Sequence, residues 1–271
     1  MQDILSPLGL NHIRSFFSHR PLVVFDFDGT LASISSNRDE VHASDLTRAL
    51  VGRLSQWIPV GVVSGRRLSD LTERFRGMDR VILAGNHGGE SPDDSDDSYR
   101  QRAVLAAEDV KQFLGELSKI ELLQAMPAHV IENKRLSLTF HWRGVDPELV
   151  RKWGQEVRRI AAESGNFRMI PGIQSLSVIP RHLSDKGDAV LGLRDAARRT
   201  HLVYLGDEET DEDVFRKAAG EAFLGIRVGE SGSSAADWYV SSQSEVDRVI
   251  EVFLALVAGP TASAVSMSRP A

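Results

Sequence analysis

The chain has 271 residues, 42% of them apolar, with no cysteine and a formal charge of −6. This is enough apolar material for one large or two small globular domains. The lack of cysteine excludes disulfides, thiolate metal sites and a thiol nucleophile, and the negative balance argues against a nucleic-acid or anionic-membrane binder, so any phosphate must be gripped locally.

The N-terminal stretch "MQDILSPLGLNHIRSFFSHR" is amphipathic, carries an early acid at Asp3, and has no continuous apolar run. No stretch approaches the roughly 18 apolar residues of a membrane span, and a cytoplasmic protein is expected. The run Leu22, Val23, Val24, Phe25 has the continuous hydrophobicity of a central parallel strand covered on both faces. It runs straight into "DFDGT", where a carboxylate is costly unless something pairs with it. A helix is expected from about Ser44 to Trp57, then the strand "IPVGVVSG", a helix over "SDLTERF" with Ser69 as its N-cap, and the strand "RVILAGNHG". Alternating strands and helices predict a doubly wound α/β core, a Rossmann-like parallel sheet whose ligands collect at the carboxyl ends of its strands. Asp26, Ser64 and Asn86 stand at such ends.

The Ser/Asp-rich run "ESPDDSDDSYR" then reads as a solvated linker and hinge. Beyond it, Val104, Val110, Phe113, Leu114, Leu117 and Ile120 recur at helical spacing, while Leu136, Leu138, Phe140 and Trp142 alternate as in a half-buried strand. A helix over Pro147 to Ser164 and the strand "IQSLSVIP" complete an inserted α+β domain over 92–180. The core is expected over 1–91 and 181–258, resuming with a helix after "SDKGDAV", the strand "HLVYLG", a helix from about Asp211, and the strands "AFLGIRVG" and "DWYVS". Residues 259–271 read as a frayed tail.

The chemistry gathers in two acidic clusters at strand ends, "DFDGT" and "GDEETDED". If their strands are neighbours, Asp26, Asp28 and Asp207 converge, and three carboxyl groups without His or Cys form an all-oxygen site suited to Mg²⁺. A carboxylate beside a metal can attack phosphorus, which makes Asp26 a candidate nucleophile. Asp28, two residues on, is placed to protonate a departing alcohol and then to deprotonate water. Ser64 and the Gly65 amide can donate to phosphate oxygens, and Lys186 adds a positive charge near a helix start. Asp211 would hold a metal-bound water or ligate directly.

In order and wording, "DFDGTL", "SGR", "SDKGDA" and "GDEETDEDVF" resemble the four motifs of the haloacid dehalogenase superfamily of phosphatases. Within it, "AGNHG", "ENKRLSLTFHWR" and "YLGDEETDEDVF" resemble the trehalose-6-phosphate phosphatases, over roughly residues 20 to 245. The resemblance implies a core with an inserted cap, Mg²⁺ dependence, and hydrolysis of a sugar phosphate through an aspartyl-phosphate. It makes Asp26 the nucleophile and Asp28 the acid/base, with Asp26, the Asp28 carbonyl and Asp207 as metal ligands. In the cap, Glu132 and Lys134 match the family's Glu-x-Lys pair for sugar hydroxyls, and Arg66, Asn86 and His87 are further candidates near the core–cap junction. One departure touches specificity, because Ser177 and Ile179 stand where relatives carry Glu and Arg. Another glycosyl phosphate, such as a glucosylglycerol phosphate, a glycosyl-3-phosphoglycerate or a pseudo-disaccharide phosphate, is the close alternative, and a non-catalytic sugar-phosphate sensor the more distant one. The expected partner is a small-molecule sugar phosphate, with no nucleic acid or membrane, for a monomer or weak dimer.

Overall fold

A computed structural model describes residues 1–35, 40–91, 97–172 and 174–258. The elements are β1 (Gln2–Asp3), α1 (Pro7–Phe17), β2 (Leu22–Phe25), α2 (Asp45–Leu54), β3 (Val60–Val63), α3 (Leu68–Arg74) and β4 (Val81–Ala84). Next come α4 (Asp97–Ser118), α5 (Glu121–Gln124), β5 (Ile131–Asn133), β6 (Leu138–His141), α6 (Pro147–Ser164), β7 (Phe167–Gly172) and β8 (Ser175–Pro180). The chain closes with α7 (Lys186–Ala196), β9 (Leu202–Gly206), α8 (Glu212–Lys217), β10 (Phe223–Val228), β11 (Trp238–Val240) and α9 (Val246–Ala258).

Seven strands pair in parallel in the order β1-β11-β10-β9-β2-β3-β4. β2 lies in the interior of this sheet, and all four of its residues are fully buried because both faces are covered. Val23 and Phe25 pack with Ile13, Phe17, Leu50 and Phe253, which come from α1, α2 and α9. Leu22 and Val24 pack on the other face with Val190, Leu193 and Phe215 of α7 and α8. Burying this sandwich is what fixes β2 beside β9, with Leu22 opposite Leu202 and Phe25 opposite Leu205. The strands ending at Asp26 and Asp207 are therefore neighbours, as their sequence requires for the two acidic clusters to meet.

The second sheet is antiparallel, in the order β5-β6-β8-β7. One of its faces buries Leu138, Phe140, Leu176 and Val178 against Phe113 of α4 and Trp153 and Val157 of α6. Helix α6 has clear punctuation: Asp146 caps the Glu148 amide at 2.7 Å, Pro147 opens the helix, and Gly165 ends it at φ 69°. Period-2 alternation leaves the opposite face of the sheet to the cleft described below.

Some elements differ from expectation. Ser69 is not the N-cap of α3, which starts one residue earlier, and the Leu68 amide is satisfied by the distant Glu90 carboxylate at 2.6 Å. α4 begins at Asp97, inside the run read as a linker, while 92–96 and the tail 259–271 lie outside the described residues. α2 ends at Leu54, three residues before Trp57. β7 and α9 were not anticipated.

Candidate active site

The floor of the site is built where β2 and β9 end together. Asp26 is buried, and its Oδ1 accepts from Lys186 Nζ at 2.7 Å. The same ammonium donates to Asp211 Oδ1 at 2.7 Å, so one buried cation from the start of α7 bridges two carboxylates. Asp207 receives Thr30 Oγ1 at 3.2 Å, and Gly29 makes this approach possible: at φ 83° it turns the chain, and a Cβ there would lie 2.1 Å from Asp207 Oδ2. Oxygen atoms of Asp26, Asp207 and Asp211 lie within 4.8 Å of one another.

Asp28 stands beside this floor, partly exposed. Both of its oxygens are held by Arg66, with Nε to Oδ2 at 2.8 Å and Nη2 to Oδ1 at 2.6 Å. Arg66 is itself 1% exposed, lies over the Phe27 ring, and reaches Asp70 through Nη1 at 2.9 Å. Burial works to lower the pKa of this guanidinium, yet Asp28 and Asp70 hold it above its ordinary value. Such a planar fork fixes the carboxylate it grips in orientation as well as position. Ser64 follows β3, and Gly65 lies under the His87 ring, where a Cβ would come within 2.5 Å of the imidazole. Asn86 and His87 both adopt positive φ, 54° and 58°, an unusual pair for non-glycine residues.

The roof comes from the second sheet. Register places Glu132 opposite Thr139, Thr139 opposite Ser177, and Ser177 opposite Ile170, a single cross-strand row that lines a cleft of about 560 Å³ above Asp26 and Asp28. Thr139 and Ser177 hydroxyls lie 3.1 Å apart, and Glu132 Oε2 is 3.0 Å from His141 Nε2. Lys134, 3% exposed, donates to the Gly65 carbonyl at 2.8 Å and stands 3.9 Å from Glu132. Asn86 ties the two sheets together: its amide donates to the Lys134 carbonyl at 3.0 Å and its oxygen accepts from Ser137. Ile179 is buried with Ala106, Leu136 and Leu183 and does not line the cleft.

Of the residues singled out in the sequence, Asp26, Asp28, Ser64, Gly65, His87, Glu132, Lys134 and Ser177 line this one cleft. Arg66, Asn86, Lys186 and Asp211 stand behind it and bond to the lining residues Asp28, Lys134, Asp26 and Glu208, while Asp207 joins Asp26 and Asp211 in the acidic cluster. Residues that sequence reasoning missed include Tyr204, whose hydroxyl donates to Asp211 Oδ1 at 2.6 Å, and Asp70, His141 and Thr139. A tyrosine inside an otherwise apolar buried strand was a readable signal, since its hydroxyl must find a partner.

Electrostatics distinguish this floor from an ordinary ion pair. Burial, together with Asp211 and Asp207, pushes Asp26 well above the usual carboxylate range against the pull of Lys186. Burial and the neighbouring carboxylates of Asp211 and Glu208 push Asp207 up to about 7. Asp26 Oδ2 is buried and, among the described residues, has no hydrogen-bond partner. An all-oxygen cluster short of positive charge, with an orphaned carboxylate oxygen, fits a hard divalent cation.

A parallel sheet with acidic clusters at two neighbouring strand ends and a buried lysine between them, with a separate antiparallel sheet above, defines a member of the haloacid dehalogenase superfamily. The trehalose-phosphatase family model matches residues 24–247. The chain belongs to that family. It is 34% identical over 219 residues to the trehalose-phosphate phosphatase of Mycobacterium avium, covering 77% of this chain and 54% of that one. It spans between about half and two thirds of the length of the curated relatives it matches. Its fold is that of the C-terminal domain of Candida albicans trehalose-6-phosphate phosphatase, with a TM-score of 0.71, 20% identity, and coverage of 95% of this chain and 100% of that one. The Aspergillus fumigatus trehalose-6-phosphate phosphatase superposes with a TM-score of 0.61 at 23% identity, covering 94% and 99%. Among the described residues, no helix is long and apolar enough to cross a membrane.

Proposed function

We propose that this protein is a Mg²⁺-dependent phosphatase of a sugar phosphate of the trehalose-6-phosphate type, working through an aspartyl-phosphate on Asp26. The observation that carries this reading is Asp26 itself: one oxygen is held by Lys186, the other has no partner among the described residues, and the side chain stands under a cleft of sugar-phosphate size. Asp26 Oδ2, Asp207 and the Asp28 carbonyl would hold Mg²⁺. When bound, the ion supplies positive charge that keeps Asp26 ionised and offsets the negative charge of the phosphoryl group.

Asp26 attacks phosphorus as the bond to the sugar oxygen breaks, and Asp28 delivers a proton to that oxygen. Asp28, now a carboxylate, takes a proton from a water that attacks the same phosphorus, and the bond to Asp26 breaks to release inorganic phosphate. Arg66 fixes the Asp28 carboxylate beside the floor, and one of the two oxygens it grips leaves the fork to carry the proton. Ser64 and the Gly65 amide take phosphate oxygens, while Lys186 holds the nucleophile. The roof row Glu132, Thr139 and Ser177, with Lys134, meets the sugar. The cap, residues 92–180, closes over the core to exclude water.

A second reading keeps the chemistry and changes the sugar. It is favoured by Ser177, which presents a hydroxyl in the roof row where a carboxylate would hold sugar hydroxyls more strongly. A non-catalytic sensor has no need for Asp26, Asp28 and Lys186 together. The test is phosphate release over a panel of glycosyl phosphates, with and without EDTA and with Asp26→Asn as control. Release that survives EDTA, or persists within tenfold in Asp26→Asn, overturns the mechanism, and no release from any substrate favours the sensor.

A further inference from the structure

Tyr204 is a fully buried ionisable group that the mechanism above does not use. It sits in β9 two residues before Gly206, with its ring edge-on to Phe215 and its hydroxyl 2.6 Å from Asp211 Oδ1. That oxygen is also the one that receives Lys186 Nζ. Asp211 Oδ2 is meanwhile fixed by the Glu208 amide at 2.8 Å. Gly206 gives the carboxylate its room, because a Cβ there would lie 2.4 Å from Asp211 Cγ. Hydrogen bonds thus run unbroken from Tyr204 through Asp211 and Lys186 to Asp26.

We propose that Tyr204 is a positioning residue for phosphoryl transfer, its hydroxyl sharing Asp211 Oδ1 with Lys186 so that the ammonium stays divided between Asp211 and Asp26. A buried tyrosine hydroxyl needs an acceptor, and a backbone carbonyl would serve a purely structural role. Here the acceptor is the counterion of the lysine that holds the nucleophile. Two donors on one oxygen compete, and each weakens the other's claim on the carboxylate. Removing the phenol leaves Asp211 with Lys186 as the sole donor to Oδ1. The ammonium is drawn toward Asp211, and Asp26 loses the partner that orients it. Burial and the charge of Asp211 hold the phenol protonated, as a donor requires.

This inference rests on the hydrolase reading, and its test separates the two. Kinetics with p-nitrophenyl phosphate and Mg²⁺ avoid any contribution from sugar recognition. Tyr204→Phe keeps the ring packing and removes one oxygen, so kcat should fall roughly 10- to 100-fold, the range expected for a hydrogen bond to a charged group, with KM within about twofold. In an Asp211→Asn background the same change should alter kcat less than about twofold, because the route through Asp211 is already broken. An unchanged kcat in Tyr204→Phe, or effects of the two variants that multiply, overturns the proposal while leaving the hydrolase reading intact. If wild type releases no phosphate from any substrate, both fail. Should phenylalanine impair folding, 3-fluorotyrosine placed at 204 alters donor strength without loss of packing, and a kcat within 20% of wild type would overturn the proposal equally.

Discussion

At the scale of single residues, Asp28 and Ser177 carry the sharpest expectations. Asp28 is gripped by Arg66 on both oxygens, so Asp28→Asn removes the proton carrier and leaves the Arg66 fork a single acceptor, the amide oxygen. Sugar-phosphate hydrolysis should fall about 10²–10⁴-fold. The loss should be much smaller on p-nitrophenyl phosphate, whose leaving group needs little protonation, and an equal loss on both substrates would point to a structural role. Ser177 tests specificity. It stands between Thr139 and Ile170 in the roof row, facing the cleft. A carboxylate there would accept hydroxyl hydrogen bonds of about 1.5–3 kcal/mol each, so Ser177→Glu should raise kcat/KM for trehalose-6-phosphate roughly ten- to a hundredfold relative to other glycosyl phosphates. If wild type already prefers trehalose-6-phosphate and the glutamate lowers that preference, the specificity argument is wrong. Ile179 adds nothing to the cleft, being packed among Ala106, Leu136 and Leu183.

At the scale of elements, the turn after β2 decides whether the floor can form. Gly29→Ala would both strain a φ of 83° and drive a methyl group into the Asp207 carboxylate. Gly77 is a control at nearly the same φ, 81°, with nothing within 4 Å. Both alanine variants should lose about 1–2 kcal/mol of stability from backbone strain. Gly29→Ala should also lose at least roughly 100-fold in phosphate release, whereas Gly77→Ala keeps its activity. Thermal midpoints and phosphate release on the two proteins check this, and equal activities would remove the close approach as the reason for Gly29. Much of this scale was legible in the sequence. Continuous apolar runs marked β2, β3 and β9, and Asp146, Pro147 and Gly165 bounded α6. β7 was hidden because "FRMIPG" carries a proline and a glycine, both unfavourable in strands, and its place beside β8 is set by tertiary pairing. α9 was missed because "VIEVFLALVA" is too continuously apolar to betray a helical period. The same limit applies to the site. Placement at strand ends and at a helix start pointed to Asp26, Asp207 and Lys186, but the Arg66 fork on Asp28 and the Asn86 tie to Lys134 join residues far apart in the chain, and no local pattern encodes them.

At the scale of the whole molecule, the acidic floor links stability to pH. Asp207 holds its proton up to about pH 7 in the folded protein, while the unfolded chain releases it near the ordinary value of 3.8. The folded state therefore binds more protons between those limits. This contribution to stability is fully present below about pH 4 and is lost as pH rises through 7. Asp26 shifts in the same direction. Thermal midpoints of EDTA-treated protein should show this component declining from pH 5 to pH 8, and added Mg²⁺ should raise the midpoint more at pH 8 than at pH 5, since the cation replaces protons already lost. A Mg²⁺ shift that is equal at both values would count against the cluster as its site. Closure of the cap is checked by X-ray scattering, where a substrate mimic with Mg²⁺ should reduce the radius of gyration. Identical curves would sink the closure.

The pairing of Leu22 with Leu202 also sets a schedule for the newborn chain. β2 gains β3 soon after it is made, but its other edge waits about 180 residues for β9, roughly 10 to 35 seconds of synthesis. The antiparallel sheet is encoded wholly between residues 131 and 180, so it can finish first. Through that interval a strand of Leu, Val, Val and Phe offers an open edge, the feature that most invites wrong partners. Ribosome-bound chains that stop before Leu202 should accordingly recruit chaperones, and longer chains should shed them as β9 emerges.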